Sequence, residues 1–331
     1  MTKIKLLILL SILFLVACIK PTEPYGSGDG GYRIVAKYPT KGWAQDIVIK
    51  DSLALIAQGE GGLEIVNISD PTNPKGFLTF FNELRGYSKK ITIKDSIIYL
   101  AAGSFGVSVV NINNPNSPKV TETNLEMKPA KSICVFKNFM FSAISEQGIK
   151  MAEISVPDHP DIRGNIKTLP GYAQSVVVFK DSLLLVACGE MGFGIVDIST
   201  IKTGFETFYL KNWCDTQGYA EEITVSDDAP IAYMACGTGG LQIIDFSDIA
   251  NIHIIGSFNT GGYAKEIIKI GKKLYITTEK RGIQIFSVEN PTIPQLIGII
   301  GTQYALGMAI KGDYIYITDE VEGLIVISIP K

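Results

Sequence analysis

The chain has 331 residues, of which 46% are hydrophobic, with 33 glycines, 15 prolines and a formal charge of −3. That much apolar material excludes a disordered chain, and the glycines lack a collagen period; many short strands joined by turns fit the balance. With no basic stripe the sequence points away from nucleic acid as a partner, and its length admits two average domains or one large all-β domain.

The N-terminus reads MTKIKLLILLSILFLVAC: two lysines, an apolar run broken only by Ser11, then Leu15-Val16-Ala17-Cys18. The run is too short to cross a bilayer as a helix and reads as a secretory signal. Its last four residues resemble the lipobox of bacterial lipoproteins, which implies cleavage after residue 17 and acyl chains on Cys18. Each buried methylene contributes roughly 0.8 kcal/mol, so two or more chains hold a protein on a membrane where one does not. The expected layout is a lipoprotein signal peptide at 1–17, a lipidated flexible tether rich in Pro, Gly and Ser at 18–31, and a folded domain at 32–331. The expected location is the extracytoplasmic side of the bacterial cell envelope, with the membrane a partner through the lipid. Loss of the leader removes Lys3 and Lys5 and no acid, leaving 28 basic against 33 acidic side chains and a charge of −5.

From Gly42 onward one unit repeats. Each copy opens on an aromatic residue followed by a small one: GWA at Gly42, GYS at Gly86, a degenerate KPA at Lys128, GYA at Gly171, Gly218 and Gly262, and QYA at Gln303, at spacings of about 40 to 48 residues. A fixed period of this length decides the whole fold. In the first copy DIVIKD reads as a strand ending in a turn, SLALIAQG as a second, GEGG as hairpin glycines, LEIVNIS as a third, DPTNP as a turn and KGFLTFF as a fourth. Four short strands joined this way make a meander. The prolines preset a turn and cannot donate to a ladder, so SDPTNPK, NNPNSPK and ENPTIPQ mark the passage from third to fourth strand.

LLLVACG at Leu183, IAYMACG at Ile231 and IIYLAAG at Ile97 are apolar at nearly every position, so both faces of these strands require cover. Sheets packed face to face around an axis provide it. The reading is therefore all-β: a seven-bladed β-propeller of four-stranded antiparallel blades. Its seventh copy ends at LIVISIPK after three strands, while VAKYPTKGWA at Val35 lines up with IGSFNTGGYA at Ile255. Tyr32 to Thr40 is thus expected to close the last blade as its outer strand, hiding the remaining edge.

The phrases LEIVNISDPTNP, GIVDIS and LQIIDFSD resemble the LVIVD repeat, a family of bacterial and archaeal surface proteins, over roughly residues 32 to 331. The resemblance implies a propeller and carries no catalytic residues. SVPDHPD, STIKTG and SVEN depart from the motif at the turn.

Residues with chemical potential are few. His159 and His253 have no partner at metal-ligand spacing, and no HExxH, CxxC, GxSxG or P-loop is present, so no metal, cofactor or catalytic residue is assigned. Cys188 and Cys236 hold equivalent places in neighbouring copies, too far apart for a disulfide; Cys134 reads as core. Cys214, in the extended linker KNWCDTQ, leaves a disulfide open.

The loop into strand one and the hairpin between strands two and three lie on one face of a four-stranded blade. That face collects Trp43, Tyr87, Tyr172, Tyr219, Tyr263 and Tyr304 from the openers, hairpin acids Glu60, Glu146 and Glu190, and Asp46, Glu222 and Glu266 just inside strand one. This aromatic and acidic rim is a candidate site for another envelope protein or a ligand; alternatively the tyrosines are wedges between blades and the acids are solvated. Three functions follow: a lipid-tethered binding scaffold; a lyase or hydrolase of an envelope polymer using Glu222 and Glu266; or an assembly subunit with a contiguous apolar patch. Carboxyl groups about 5 to 10 Å apart in one pocket would favour the enzyme. The balance favours the scaffold.

Overall fold

The structure, a computed structural model, describes residues 28–80, 84–166, 169–201 and 206–331. The expected leader, Cys18 and most of the tether lie outside the described residues. Seven sheets form, each built on four antiparallel strands, with a fifth added to one of them. In blade 1 these are Asp46–Lys50, Leu53–Ala57, Leu63–Asn67 and Lys75–Phe80. Blades 2 to 6 repeat the plan over 90–124, 132–166, 175–214, 222–258 and 266–300, and blade 7 holds three strands within 305–328.

The chain supplies its own turn chemistry. The first hairpin of blade 1 turns at Asp51, with φ of 50°, and that of blade 2 at Asp95, with φ of 56°. Aspartate tolerates this left-handed geometry because its short side chain bonds locally. The proline phrases close as predicted: Asp70 Oδ1 accepts from the Thr72 amide at 3.0 Å and the Asn73 amide donates to the Asp70 carbonyl.

Second strands are buried on both faces, with Ala54 to Ala57 fully inaccessible. The apolar side chains segregate into seven clusters, and each spans one junction between neighbouring blades. Ile47, Ile56 and Val66 of blade 1, for example, pack on Tyr316, Leu324 and Val326 of blade 7. Small opener residues let the blades approach: Ala130, Ala173, Ala220, Ala264 and Ala305 each bridge by backbone to the hairpin of the preceding blade.

Closure follows the expected route. Arg33–Tyr38 pairs antiparallel with Gly323–Ser328, from Arg33 opposite Ser328 to Tyr38 opposite Leu324. Tyr32, buried, sets its ring edge-on to Tyr275 at 6.2 Å, fastening the start of the strand against blade 6.

Two details differ from the sequence reading. Leu210–Cys214, taken as part of an extended linker, is the outer strand of blade 4 and pairs with Phe193–Asp197. The long excursion before it adds the two-residue strand Glu206–Thr207 in parallel to blade 3, which thus has five strands. The two-residue strand is invisible to a pattern of four strands per copy because so short a bridge has no periodicity, whereas Leu210–Cys214 is the fourth strand that pattern calls for, displaced along the chain by the excursion before it.

Candidate functional site

Every innermost strand begins at the same height, and its first residues meet around the axis. The equivalent positions carry Asp46, Lys90, Ser132, Ser175, Glu222 and Glu266, and in blade 7 a bulge between Ala305 and Met308 brings Gly307 to this level. Glycine is required there, since a Cβ would lie 2.6 Å from Asp46 Oδ1.

Lys90 reaches across the channel from blade 2. Its Nζ lies 2.6 Å from Glu222 Oε2 of blade 5 and also bonds Glu266 Oε2 of blade 6. Glu222 Oε1 accepts from the Ser175 hydroxyl and the Ile223 amide, and Asp46 Oδ2 accepts from the Ile91 amide at 3.0 Å. Burial on its own would lower the lysine, yet Asp46, Glu222 and Glu266 together hold it well above its ordinary value. Burial raises Glu266 well above the usual carboxylate range, with Lys90 opposing and Glu222 and Asp46 adding to the rise. Asp46 is raised for the same first reason, against the pull of Lys90 and the Ile91 amide.

This cluster is a floor with a cavity on either side. Toward the opener face a cavity of about 470 Å³ is lined by Tyr87, Lys89, Lys131, Gln174, Glu221 and Tyr304, among others. Toward the opposite face lies a cavity of about 340 Å³ whose lining includes Val48, Ile133, Val135 and Met308.

The predicted rim residues divide into four overlapping groups. Asp46, Glu222 and Glu266 come together, but as a floor bound to Lys90. Tyr87 and Tyr304 line the mouth cavity. Tyr87, Tyr219 and Tyr263 also lean on hairpin glycines of the preceding blade: an added Cβ on Gly59, Gly189 or Gly237 would meet their rings at 2.7 to 2.9 Å. Those glycines hold φ near +50° as well, so both space and backbone demand them. The wedge role is thus real for three of the six aromatics. Tyr263 donates to Glu221 Oε1 at 2.6 Å, and the Tyr304 hydroxyl, bonded to Glu279, is pushed up to about 12, first by burial. Trp43 and Tyr172 stand 56% and 45% exposed and do not line the mouth cavity.

Sequence reasoning missed the lysines. Lys89, Lys131 and Lys265 occupy the position just after the opener's small residue, where other copies carry Gln45, Gln174 and Glu221. Lys265 pairs with Glu221 at 2.7 Å. Lys89 and Lys131 have no ion-pair partner among the described residues. Burial, followed by the neighbouring charges of Lys131 and Lys265, holds Lys89 below the ordinary lysine value.

Glu222 and Glu266 share a pocket, as acid–base chemistry on a polymer would require, but the Lys90 ammonium occupies the space between them. The four described cysteines carry free thiols. Cys214 Sγ donates weakly to the Asp215 carbonyl at 3.4 Å.

Comparison with known proteins agrees with this architecture. The LVIVD repeat model matches residues 41–79, 170–201, 217–260 and 303–329. No curated protein matches the sequence. Among solved structures, a chain of a mitotic checkpoint complex aligns with a TM-score of 0.70 at 10% identity, covering 90% of this chain and 96% of that one. The WD40 β-propeller domain of Doa1 aligns at 0.67 and 13% identity, covering 91% and 98%. The computationally designed protein Ika8 aligns at 0.63 and 12%, covering 91% and 100%. Identities this low speak to fold alone. Repeated phrases and closed ring together make this chain a seven-bladed β-propeller, four segments of which match the LVIVD repeat, a fold suited to binding or scaffolding.

Proposed function

We propose that the protein is a lipid-anchored binding module of the bacterial cell envelope that engages its ligand or partner at the mouth of the ring. The observation that carries the binding site is the mouth cavity: a concave chamber of about 470 Å³, closed below by the ion cluster and lined by charged and aromatic side chains. Paired carboxylates filled by a lysine support binding over hydrolysis.

The tether supports the same orientation. Third strands run from the mouth-side hairpin to the proline turns on the far face, and Arg33 pairs with the last residue of such a strand, Ser328. The chain therefore enters the ring on the far face. A lipid on Cys18 would hold that face toward the membrane and turn the mouth away from it.

Photo-crosslinking in the native cells tests the reading, with a reactive group at Trp43 beside the mouth or at Thr72 on the far-face turn. Adducts from Trp43 and none from Thr72 are expected; equal capture from both positions refutes the assignment. A Cys18→Ala variant should leave the membrane fraction, and continued membrane association would refute the anchor.

A further inference from the structure

The charges lining the mouth are segregated. After the internal pairs Lys265–Glu221 and Lys90 with Glu222 and Glu266 are set aside, four charged groups of the cavity wall have no ion-pair partner among the described residues: Lys89, Lys131, Glu279 and Glu320. The two lysines sit on consecutive blades, 2 and 3. Glu279 sits on the hairpin of blade 6, across the axis from them, and Glu320 on the hairpin of blade 7, over the opener of blade 1 and close enough to Tyr87 to raise it. None of the four makes an ion pair within the wall, and a molecule spanning the cavity can pair both sets. Gln45, on the wall next to the lysines, has a side-chain nitrogen shielded from solvent and without a hydrogen-bond partner. An unsatisfied donor of that kind is unfavourable, and a turn toward an arriving acceptor would satisfy it.

We infer that the mouth cavity takes a small zwitterion, a free amino acid or short peptide, with its carboxylate between Lys89 and Lys131 and its ammonium toward Glu279 and Glu320. This rests on the mouth being the binding face. The ligand is neutral overall, which suits a wall with two unpaired charges of each sign; a dianion would face the glutamates and a dication the lysines, each unfavourable at short range. The volume, within the range of small-molecule sites, accommodates a few residues and not a folded partner.

Calorimetric titration of the full chain in detergent with glycine, diglycine, triglycine and tetraglycine tests this, the best length reporting the distance between the two charged arcs. N-acetylation and C-amidation of the best member should each weaken binding about tenfold, the weight of one charge-assisted contact. In a Lys89→Gln, Lys131→Gln variant, amidation should cease to matter while acetylation still does; a Glu279→Gln, Glu320→Gln variant should show the converse. Circular dichroism melting checks that the variants are folded, which these cavity-wall side chains, outside the seven clusters, permit. The inference falls if no member binds, or if blocking either end leaves affinity unchanged. If it falls while crosslinks at Trp43 persist, the mouth remains the binding face for another class of ligand; if both fail, the face is wrong.

Discussion

Replacing Lys90 with methionine separates the charge at the centre of the ring from the side-chain bulk that carries it. The variant leaves three carboxyl groups around an uncharged centre. Glu222 keeps the Ser175 hydroxyl and the Ile223 amide, and Asp46 keeps the Ile91 amide, so the loss falls chiefly on Glu266. That group must then either stay ionised without its cation or take up a proton. Holding a carboxyl of ordinary value near 4.3 protonated at pH 7 costs roughly 3.7 kcal/mol, close to the roughly 3–5 kcal/mol measured when one partner of a buried pair is removed. Burial already raises Glu266 in the native protein, so this figure is a ceiling: a loss of up to about 3.5 kcal/mol at pH 7 is expected, which lowers the thermal midpoint by at most roughly 5–10 °C. Denaturant unfolding followed by circular dichroism, at pH 7 and again near pH 4.5, measures it. The deficit should shrink at the lower pH, where protonation costs little, and a Lys90→Met, Glu266→Gln double variant should recover most of it at pH 7. A deficit equal at both pH values would show that packing and not charge is at stake, and no deficit would refute the cluster as a structural element.

In the native protein, Asp46 and Glu266 have folded-state values raised above their unfolded ones. The folded form therefore holds protons that the unfolded form has released, and stability falls as pH rises from about 4 through the raised values; Glu266→Gln should flatten this slope in pH-dependent urea titrations. Gly237, with φ of 50° and the Tyr263 ring 2.9 Å from any added Cβ, should lose more stability on change to alanine than Gly312, with φ of 56° and open space around it. About 1 kcal/mol is expected for the backbone alone at Gly312 and at least twice that at Gly237, read from paired melting curves. Burial pushes the Cys188 and Cys236 thiols up to about 12, so in the folded protein both should resist Ellman's reagent while the partly exposed Cys214 reacts; rapid modification of all three would contradict the buried placement.

How far the sequence could be read depended on whether its copies agreed. The opener, the hairpin glycines and the proline turn recur because every blade must solve the same packing problem, and from them the seven blades, their strand order and the closing segment at Tyr32 were all legible. Lys89, Lys131 and Lys265 escaped because each stands where the copies disagree, and a search for shared phrases discards such positions as noise. In a ring the reverse holds: residues that share a structural slot but differ in kind are free of the packing constraint and face the axis. Lys90 was hidden for another reason. Its partners Glu222 and Glu266 lie 132 and 176 positions further along, and the three meet only because the ring closes. The tyrosines misled in a measured way, since an aromatic at a fixed place served the wedge between blades at Gly59, Gly189 and Gly237 before it served any rim.

Pairing of Arg33 with Ser328 leaves residues 32 and 329 side by side on one face of the ring. A ring whose first and last strands pair has no structurally necessary starting point. A few residues joining them, with the chain reopened inside the Asp70–Pro74 turn on that same face, would yield a permuted molecule in which blade 1 becomes the one stitched from both termini. Such a rearrangement would also move the seam of the ring around the circumference by one-seventh of a turn, while the chamber on the other side kept every wall it now has.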